Sequence, residues 1–286
     1  MKSTSFRFFS LLAGALLFAG SLQAQPAPQV QFPQASPGCT LKQRVGITDI
    51  EIVYSRPSKK DREIFGNLVP FGKVWRTGAN AATKVTFSTP VKLNGTDVAA
   101  GSYALYTIPG EDEWTIILNK GVGKSGTQYD EKEDVVRFKA TPVALSETSI
   151  ETFTIEFNHI RDESAVMNLV WDRTVVPIHV DIELTSKLVP QIEAVMASDA
   201  KDKPYFPAAV FYYEHGQDLQ KAKTWIESAA GKNEAYYTVY WKAKILAKLG
   251  EKDNAIAAAK RSKELAEQAK DGAYVKLNDD LLSSLQ

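Results

Sequence analysis

The sequence predicts a two-part chain, β then α: an antiparallel β-sandwich followed by a helical-hairpin domain of tetratricopeptide-like layout. Three observations predict it. From residue 40 to 183, short β-branched and aromatic runs alternate with turn signals, and no helical period intervenes. From residue 185 onward Ala, Lys, Glu and Leu dominate, and apolar residues recur at spacings of three and four. Within that second part, two Gly-then-Ala segments lie one helical-repeat length apart. The resulting boundaries are 1–24 for an export signal, 25–39 for a flexible leader, 40–184 for the β-sandwich and 185–286 for the helices.

The elements follow in order. Lys2 and Arg7 form a positive start, residues 8–19 are apolar apart from Ser10 and Gly14, and Ser21-Leu22-Gln23-Ala24 offers a small residue for cleavage. That is the pattern of a secretory signal peptide, too short for a membrane span. The expectation is an exported protein, periplasmic or secreted, cut after Ala24. No Cys follows the apolar run closely, so no lipoprotein anchor is expected. Residues 25–38, rich in Pro, Gln, Ala and Ser, read as the leader.

Strands are then expected at 48–54, at 91–93 and 97–98 around the hairpin signal Asn94-Gly95, and at 103–108 and 114–118 around Pro109-Gly110. Further strands are expected at 135–140, 152–157, 166–171 and 175–182, with Pro177 marking an edge or a bulge in the last. Helices are expected at 208–214, 218–229 and 255–269. Another ends at Gly250, with Trp241, Ile245, Leu246 and Leu249 on one face. Gly216 and Gly250 are 34 residues apart, Ala222 and Ala255 are 33 apart, and the tetratricopeptide period is of that length. The aromatic density from Tyr205 to Trp241 reads as packing between hairpins or as a groove for a partner.

The bulk numbers exclude several classes. Lys and Arg total 34 against 34 Asp and Glu, and losing Lys2 and Arg7 leaves a net charge of about −2. Such a balance gives no global attraction to nucleic acid or anionic membrane. Cys39 is the single cysteine, which rules out a disulfide framework and a thiolate zinc site. No P-loop, dinucleotide fingerprint or Gly-x-Ser-x-Gly elbow is present, so no cofactor is implied. Gly121-Val122-Gly123-Lys124-Ser125-Gly126 has the look of a phosphate-loop fragment without the strand–helix context. The acidic groups at Asp112/Glu113 and Asp130 to Asp134 lie in turn-like segments and read as solvated loops.

The most informative stretch is residues 52–80. Between Gly38 and Lys84 there are nine Lys or Arg against four Asp or Glu, and the long connection inside this segment is rich in aromatics. Tyr54-Ser55-Arg56-Pro57-Ser58, Ile64-Phe65-Gly66, Leu68-Val69-Pro70 and Lys73-Val74-Trp75-Arg76-Thr77-Gly78-Ala79-Asn80 closely resemble the domain-of-unknown-function family 2911. So do Ala100-Gly101-Ser102-Tyr103-Ala104-Leu105-Tyr106-Thr107-Ile108-Pro109, the run from Glu113 to Lys120, and Glu151-Thr152-Phe153-Thr154-Ile155. The likeness runs from about Thr40 to Glu183. It implies an exported bacterial β domain and brings no reaction with it. One departure is that Gly121 to Gly126 stands where relatives often carry an aromatic-plus-Gly turn.

Two readings of this stretch compete. In one, Arg56, Trp75, Arg76 and Asn80 converge in a cleft for a polar, anionic or carbohydrate-like ligand, with Tyr54, Arg62 and Lys73 as secondary candidates. In the other, Trp75 plugs the sandwich end, Arg76 and Asn80 satisfy loop carbonyls, and the lysines are solvated. Catalytic constellations are thin, because His159, His179 and His215 show no ligand or nucleophile spacing. The favoured function is a non-catalytic exported binding module with no metal, whose helices hold a protein partner or brace the sheet. The alternatives are a hydrolase of envelope or polysaccharide substrate, using a carboxylate and His159 near Arg76, and a structural envelope component.

Overall fold

The computed structural model describes residues 32–286. The expected signal peptide and the first part of the leader lie outside them. Twelve strands are followed by six α-helices: β1 Gly38–Val45, β2 Thr48–Ser55, β3 Thr83–Phe87, β4 Val91–Leu93, β5 Thr96–Val98, β6 Gly101–Ile108, β7 Trp114–Asn119, β8 Asp134–Ala140, β9 Val143–Ala144, β10 Ile150–Asn158, β11 Ser164–Asp172 and β12 Thr174–Asp181. The helices are α1 Thr185–Ala197, α2 Tyr205–Glu214, α3 Leu219–Lys232, α4 Tyr236–Lys248, α5 Lys252–Gln268 and α6 Gly272–Ser284.

The strands form two antiparallel sheets. One runs β1-β2-β3-β6-β7-β8, the other β10-β11-β12-β4-β5 with β9 added beside β12. Ile50, Ile52, Val85, Leu105, Ile116 and Leu118 from the first sheet share one buried cluster with Leu93, Ile155, Met167, Leu169, Ile178 and Val180 from the second. The architecture is therefore a β-sandwich, as the alternating patterns predict. Pro177 fits the edge reading locally. On its open side, β9 reaches only Thr174 and Val175, and β4 reaches only Val180 and Asp181, so no ladder partner is lost there.

Strands β1, β3 and β9 have no counterpart among the strands predicted individually. β1 and β3 flank β2, and β1 supplies an outer edge. Between β2 and β3 the chain leaves the sheet for residues 56–82 and straps across one end of the sandwich. It is pinned by Lys59 N–H to Glu151 O (2.7 Å), Phe153 N–H to Pro57 O (2.9 Å) and the Trp75–Thr107 pair (2.7 and 2.9 Å).

The helices form hairpins, α2 with α3 and α4 with α5, and α6 packs on α5. Gly216 (φ 64°) and Gly250 (φ 81°) end α2 and α4 in the left-handed region that favours glycine. Asp218 caps α3 through Gln220 N–H and Lys221 N–H. No helix among the described residues is long and apolar enough to cross a membrane.

One joint ties the two parts. Glu163, in the β10–β11 turn, accepts from Thr185 N–H (3.0 Å) and Thr185 Oγ1–H (2.7 Å) at the start of α1. His215, at the end of α2, stacks on Phe211 at 4.2 Å and lies 3.6 Å from each of Asp162 and Glu163. The Thr185 hydroxyl, foremost, holds the Glu163 carboxyl below its ordinary value against the opposing effect of burial; the Thr185 amide and the His215 charge add to the lowering. A carboxylate held low stabilises the fold above its unfolded pKa, and that contribution is lost as pH falls through the lower folded value. Glu163→Gln is therefore expected to lower the melting temperature at neutral pH. The gap to the unsubstituted protein should narrow as pH falls below the ordinary carboxylate value of roughly 4.3 and through the lower folded value. Melting curves across that range check it, and a gap independent of pH would contradict the assignment.

Candidate functional site

The strap at residues 56–82 carries all but one of the sequence-predicted site residues, and the structure divides them by direction. Trp75 points inward and is 9% exposed. Its ring lies 5.8 Å from Trp171 in a stacked pair, 5.1 Å from Phe153, 6.0 Å from Phe65 and 6.3 Å from Trp114. Its indole N–H donates to Gly78 O at 3.1 Å. Tyr54 joins the same cluster through Phe153 (5.8 Å, perpendicular), and its hydroxyl accepts Ile155 N–H at 3.0 Å. Burial pushes the Tyr54 phenol up.

Three basic candidates are occupied or solvated. Arg56 donates from Nε to Phe153 O (3.0 Å) and from Nη2 to Thr154 Oγ1 (2.7 Å), which ties the strap to β10. Arg62 closes its own turn on Lys59 O and Ser58 O. Lys73 is exposed. Lys59 is bound to Asp172, whose carboxyl stays below its ordinary value. Burial opposes that lowering, and the hydrogen bonds from Lys59 and Ser149 outweigh it.

Arg76 and Asn80 lie on the other side of the strap. Arg76 Nη1 donates to Asn80 O at 3.1 Å, and Asn80 Nδ2 donates to Ser55 Oγ at 3.1 Å. The five-residue turn that carries them is conformationally costly. Thr77 (φ 53°) and Asn80 (φ 59°) are both left-handed. Asn tolerates that region, but a β-branched residue there is a true outlier, a cost of order 1–3 kcal/mol. Burial and hydrogen bonds hold Thr77 in place: its hydroxyl donates to Thr107 Oγ1 at 3.1 Å, and its carbonyl accepts Thr83 Oγ1–H. Gly78 (φ 150°) is needed because a Cβ there would stand 3.0 Å from Ser55 O. Trp75 pairs with Thr107 as an extended residue, so the next side chain, Arg76, faces the opposite way, and the turn then leads the chain back to β3.

The outer face of the first sheet holds residues that the sequence reading missed. Ala104, Tyr106 and Ile117 form a small buried cluster with Ala82, covered by Tyr129, whose ring meets Tyr106 at 4.9 Å. The Tyr106 hydroxyl is fully buried and has no hydrogen-bond partner. Burial raises its pKa first; Lys124 and Arg76 pull it down, and Glu133 and Asp134 push it up. All four charges therefore act on this one hydroxyl. Lys124 is bound to Glu133 at 2.6 Å. Asp134 receives Tyr129 O–H, Arg137 Nε–H and Asn119 Nδ2–H, and the Tyr129 phenol is pushed up to about 12, chiefly by burial.

The two covering loops meet at Ala82 N–H to Lys124 O, 3.2 Å. A signal for this face was present in the sequence. Residues 103–108 are apolar or aromatic with only Thr107 between, a run that marks a strand covered on both faces rather than one. Gly121 is required for close approach, since a Cβ would stand 2.8 Å from Glu133 Oε2 and 2.9 Å from Asn119 Oδ1. The amides of Gly121, Val122, Lys124 and Ser125 already bond within the loop, so it does not act as a phosphate cradle.

His159 is exposed in the β10–β11 turn, at the opposite end of β10 from Arg56. It stands five residues, roughly 17 Å, along the strand from Thr154. Strand β10 therefore separates it from the Arg76 end of the sandwich. Among the described residues no group of three or more His, Cys, Asp or Glu is placed to hold a metal ion.

A family model described as a protein of unknown function, DUF2911, matches residues 36–180. The chain belongs to this family. The DUF2911 match ends within β12 and covers the two sheets, the strap and both loops of the outer face, leaving the six helices outside. Comparison with curated proteins and with solved structures gives no match.

Two substitutions separate the inward from the outward side of this DUF2911 strap. Trp75→Ala is expected to cost roughly 3–5 kcal/mol, the range for deleting a large buried aromatic. Tyr106→Phe removes a hydroxyl that bonds nothing, so it should leave stability unchanged or raise it by up to about 1 kcal/mol. Urea denaturation of both variants checks the pair, and a loss above that size in Tyr106→Phe would mean that the hydroxyl has a structural partner.

Proposed function

We propose that the β domain is a non-catalytic module that binds a small ligand bearing an anionic oxygen, on the outer face of the first sheet between Arg76, Asn80, Lys124 and Tyr106. The observation that carries this reading is the buried, unpartnered hydroxyl of Tyr106. Leaving such a group unpaired costs about 1–3 kcal/mol, so its retention among charged neighbours calls for an acceptor. Arg76 supports the reading, because a guanidinium offers five N–H donors and Asn80 O takes one of them. A carboxylate, phosphate or sulfate, free or on a sugar, has the required chemistry.

The hydrolase alternative has less support. His159 is remote, and the nearby carboxylates Glu133 and Asp134 are each bound to a cation. The reading includes export, supported by the composition of residues 1–24, and a helical part that contacts a partner or braces the sheet. Residues 40–184 and 185–286 are taken as its two domains.

Thermal shift against phosphate, sulfate, glucuronate and galacturonate tests the ligand. A binder of the native state raises stability by about 2.7 kcal/mol at a hundred times its Kd. Arg76→Gln and Tyr106→Phe should abolish that rise without lowering the unliganded melting temperature. No shift with any anion, or an equal shift in both variants, would refute the site. For export, N-terminal sequencing of protein recovered outside the cytoplasm should begin at Gln25.

A further inference from the structure

The helices carry a second polar surface, unrelated to the strap. Tyr236, Tyr237, Tyr240, Trp241, Lys244 and Lys248 fall at spacings of one, four, five, eight and twelve along α4, which places them on one face. Neighbouring helices extend that face. Tyr213 of α2 meets Trp241 at 5.6 Å, and Tyr274 of α6 meets Tyr240 at 5.4 Å and Tyr236 at 4.8 Å.

Two ammonium groups sit on this aromatic surface. Lys244 Nζ lies 4.1 Å from the Trp241 ring centre, 4.9 Å from Tyr213 and 5.7 Å from Tyr240. Lys248 Nζ lies 4.5 Å above Tyr213 and donates to Tyr213 O at 3.2 Å. Neither forms an ion pair among the described residues, whereas Lys221, Lys223, Lys263 and Lys276 all do. Burial moves the Lys244 ammonium down, Glu214 raises it and Lys248 lowers it further, so like charges are held together in a partly dry setting. The acids facing the patch are Glu214, Asp280 near Tyr240, and Asp271, which accepts Tyr274 N–H at 3.1 Å and lies near Tyr236. Beside it opens a cleft of about 750 Å³ lined by Tyr213, Glu214, His215, Lys248 and the β10–β11 turn, where Asp162 and Glu163 face His215.

We infer that this α2/α4/α6 face docks an acidic, aromatic- or aliphatic-bearing segment of another protein, with its carboxylates on Lys244 and Lys248. The charge complement is local: Lys244 and Lys248 form no ion pair among the described residues, Asp280 is bound by Lys276 at 3.3 Å, and Glu214 is the acid that acts on Lys244, within an amphipathic ring surface of the kind enriched at interfaces. A glycan fits less well. The rings meet edge to face at 64–89°, and the Lys244 ammonium sits over the Trp241 face, so the flat open platform that a sugar ring stacks on is taken up. This deepens the partner-contact half of the proposed function and is independent of the ligand at Arg76.

Fluorescence anisotropy with labelled poly(Glu,Tyr) copolymer, with poly-glutamate and polygalacturonate as comparisons, tests the inference. The copolymer should bind most tightly, and binding should weaken as salt rises. Lys244→Gln with Lys248→Gln should lose roughly tenfold or more, and so should the single exposed change Lys248→Glu, both at an unchanged melting temperature. Lys244→Arg should retain binding, and Tyr106→Phe, which removes the other site, should bind as the parent does. Absence of copolymer binding, equal binding by the lysine variants, or tighter binding of polygalacturonate would each overturn it.

Discussion

Trp75 stacked on Trp171 is the contact on which the β part depends. The strap that carries Trp75 has no long ladder of its own and docks through a few backbone bonds and this ring. Around the pair, Phe65, Phe153 and Trp114 meet at 4.9–6.3 Å, mostly edge to face. Each such pair contributes about 0.5–1.5 kcal/mol beyond its burial. The rings come from the strap, β7, β10 and β11, so both sheets are closed at that end by one cluster. The position of Arg76 follows, since it is the residue next to the anchored one.

The strap is also the stretch in which the sequence of this chain is most informative. A motif of aromatics, glycines and cations in a long connection is consistent with a site and with a plug; the structure shows the plug at Trp75, and the proposed site lies on the opposite side. Trp75, Tyr54 and Arg56 hold the end of the sandwich together. Arg76 and Asn80 begin and end the turn that follows Trp75, and hydrogen bonds with Thr107 and Thr83 offset the strain of its left-handed Thr77.

Much of the fold was legible because it rests on local rules. Asn94-Gly95 gives the β4–β5 hairpin, with positive φ at both residues, and the spacing about Gly216 and Gly250 gives the helix ends. Strands β1 and β3 were not picked out, since Lys42, Gln43 and Arg44 alternate on an exposed edge and β3 is only five residues long. The outer-face cluster was harder. Tyr106 and Tyr129 are 23 residues apart, and nothing in either segment alone says that one ring covers the other. The direction of Arg76 was equally out of reach, because it follows from the pairing of Trp75 with Thr107, thirty-two residues away, and nothing in the strap alone shows which of the two neighbours faces inward. The aromatic helices were legible as a dense patch. Their lysines were not, because lysine on a helix is ordinarily solvated and only the three-dimensional positions seat Lys244 over three rings.

The strap also bears on how the molecule reaches its native state. β2 and β3 are adjacent in the sheet, yet 27 residues separate them. Closing a loop of that length costs about 3 kcal/mol of chain entropy by the logarithmic rule. The compensating stack joins Trp75 to a residue almost a hundred positions further along. The hairpins β6–β7 and β10–β11 need only nearby partners, and the helices need little more. Arg76 therefore takes its place only when a pairing across almost a hundred residues has formed. Three of the five tryptophans lie in this cluster, so the packing that buries them is also the event that delivers Arg76 to the outer face.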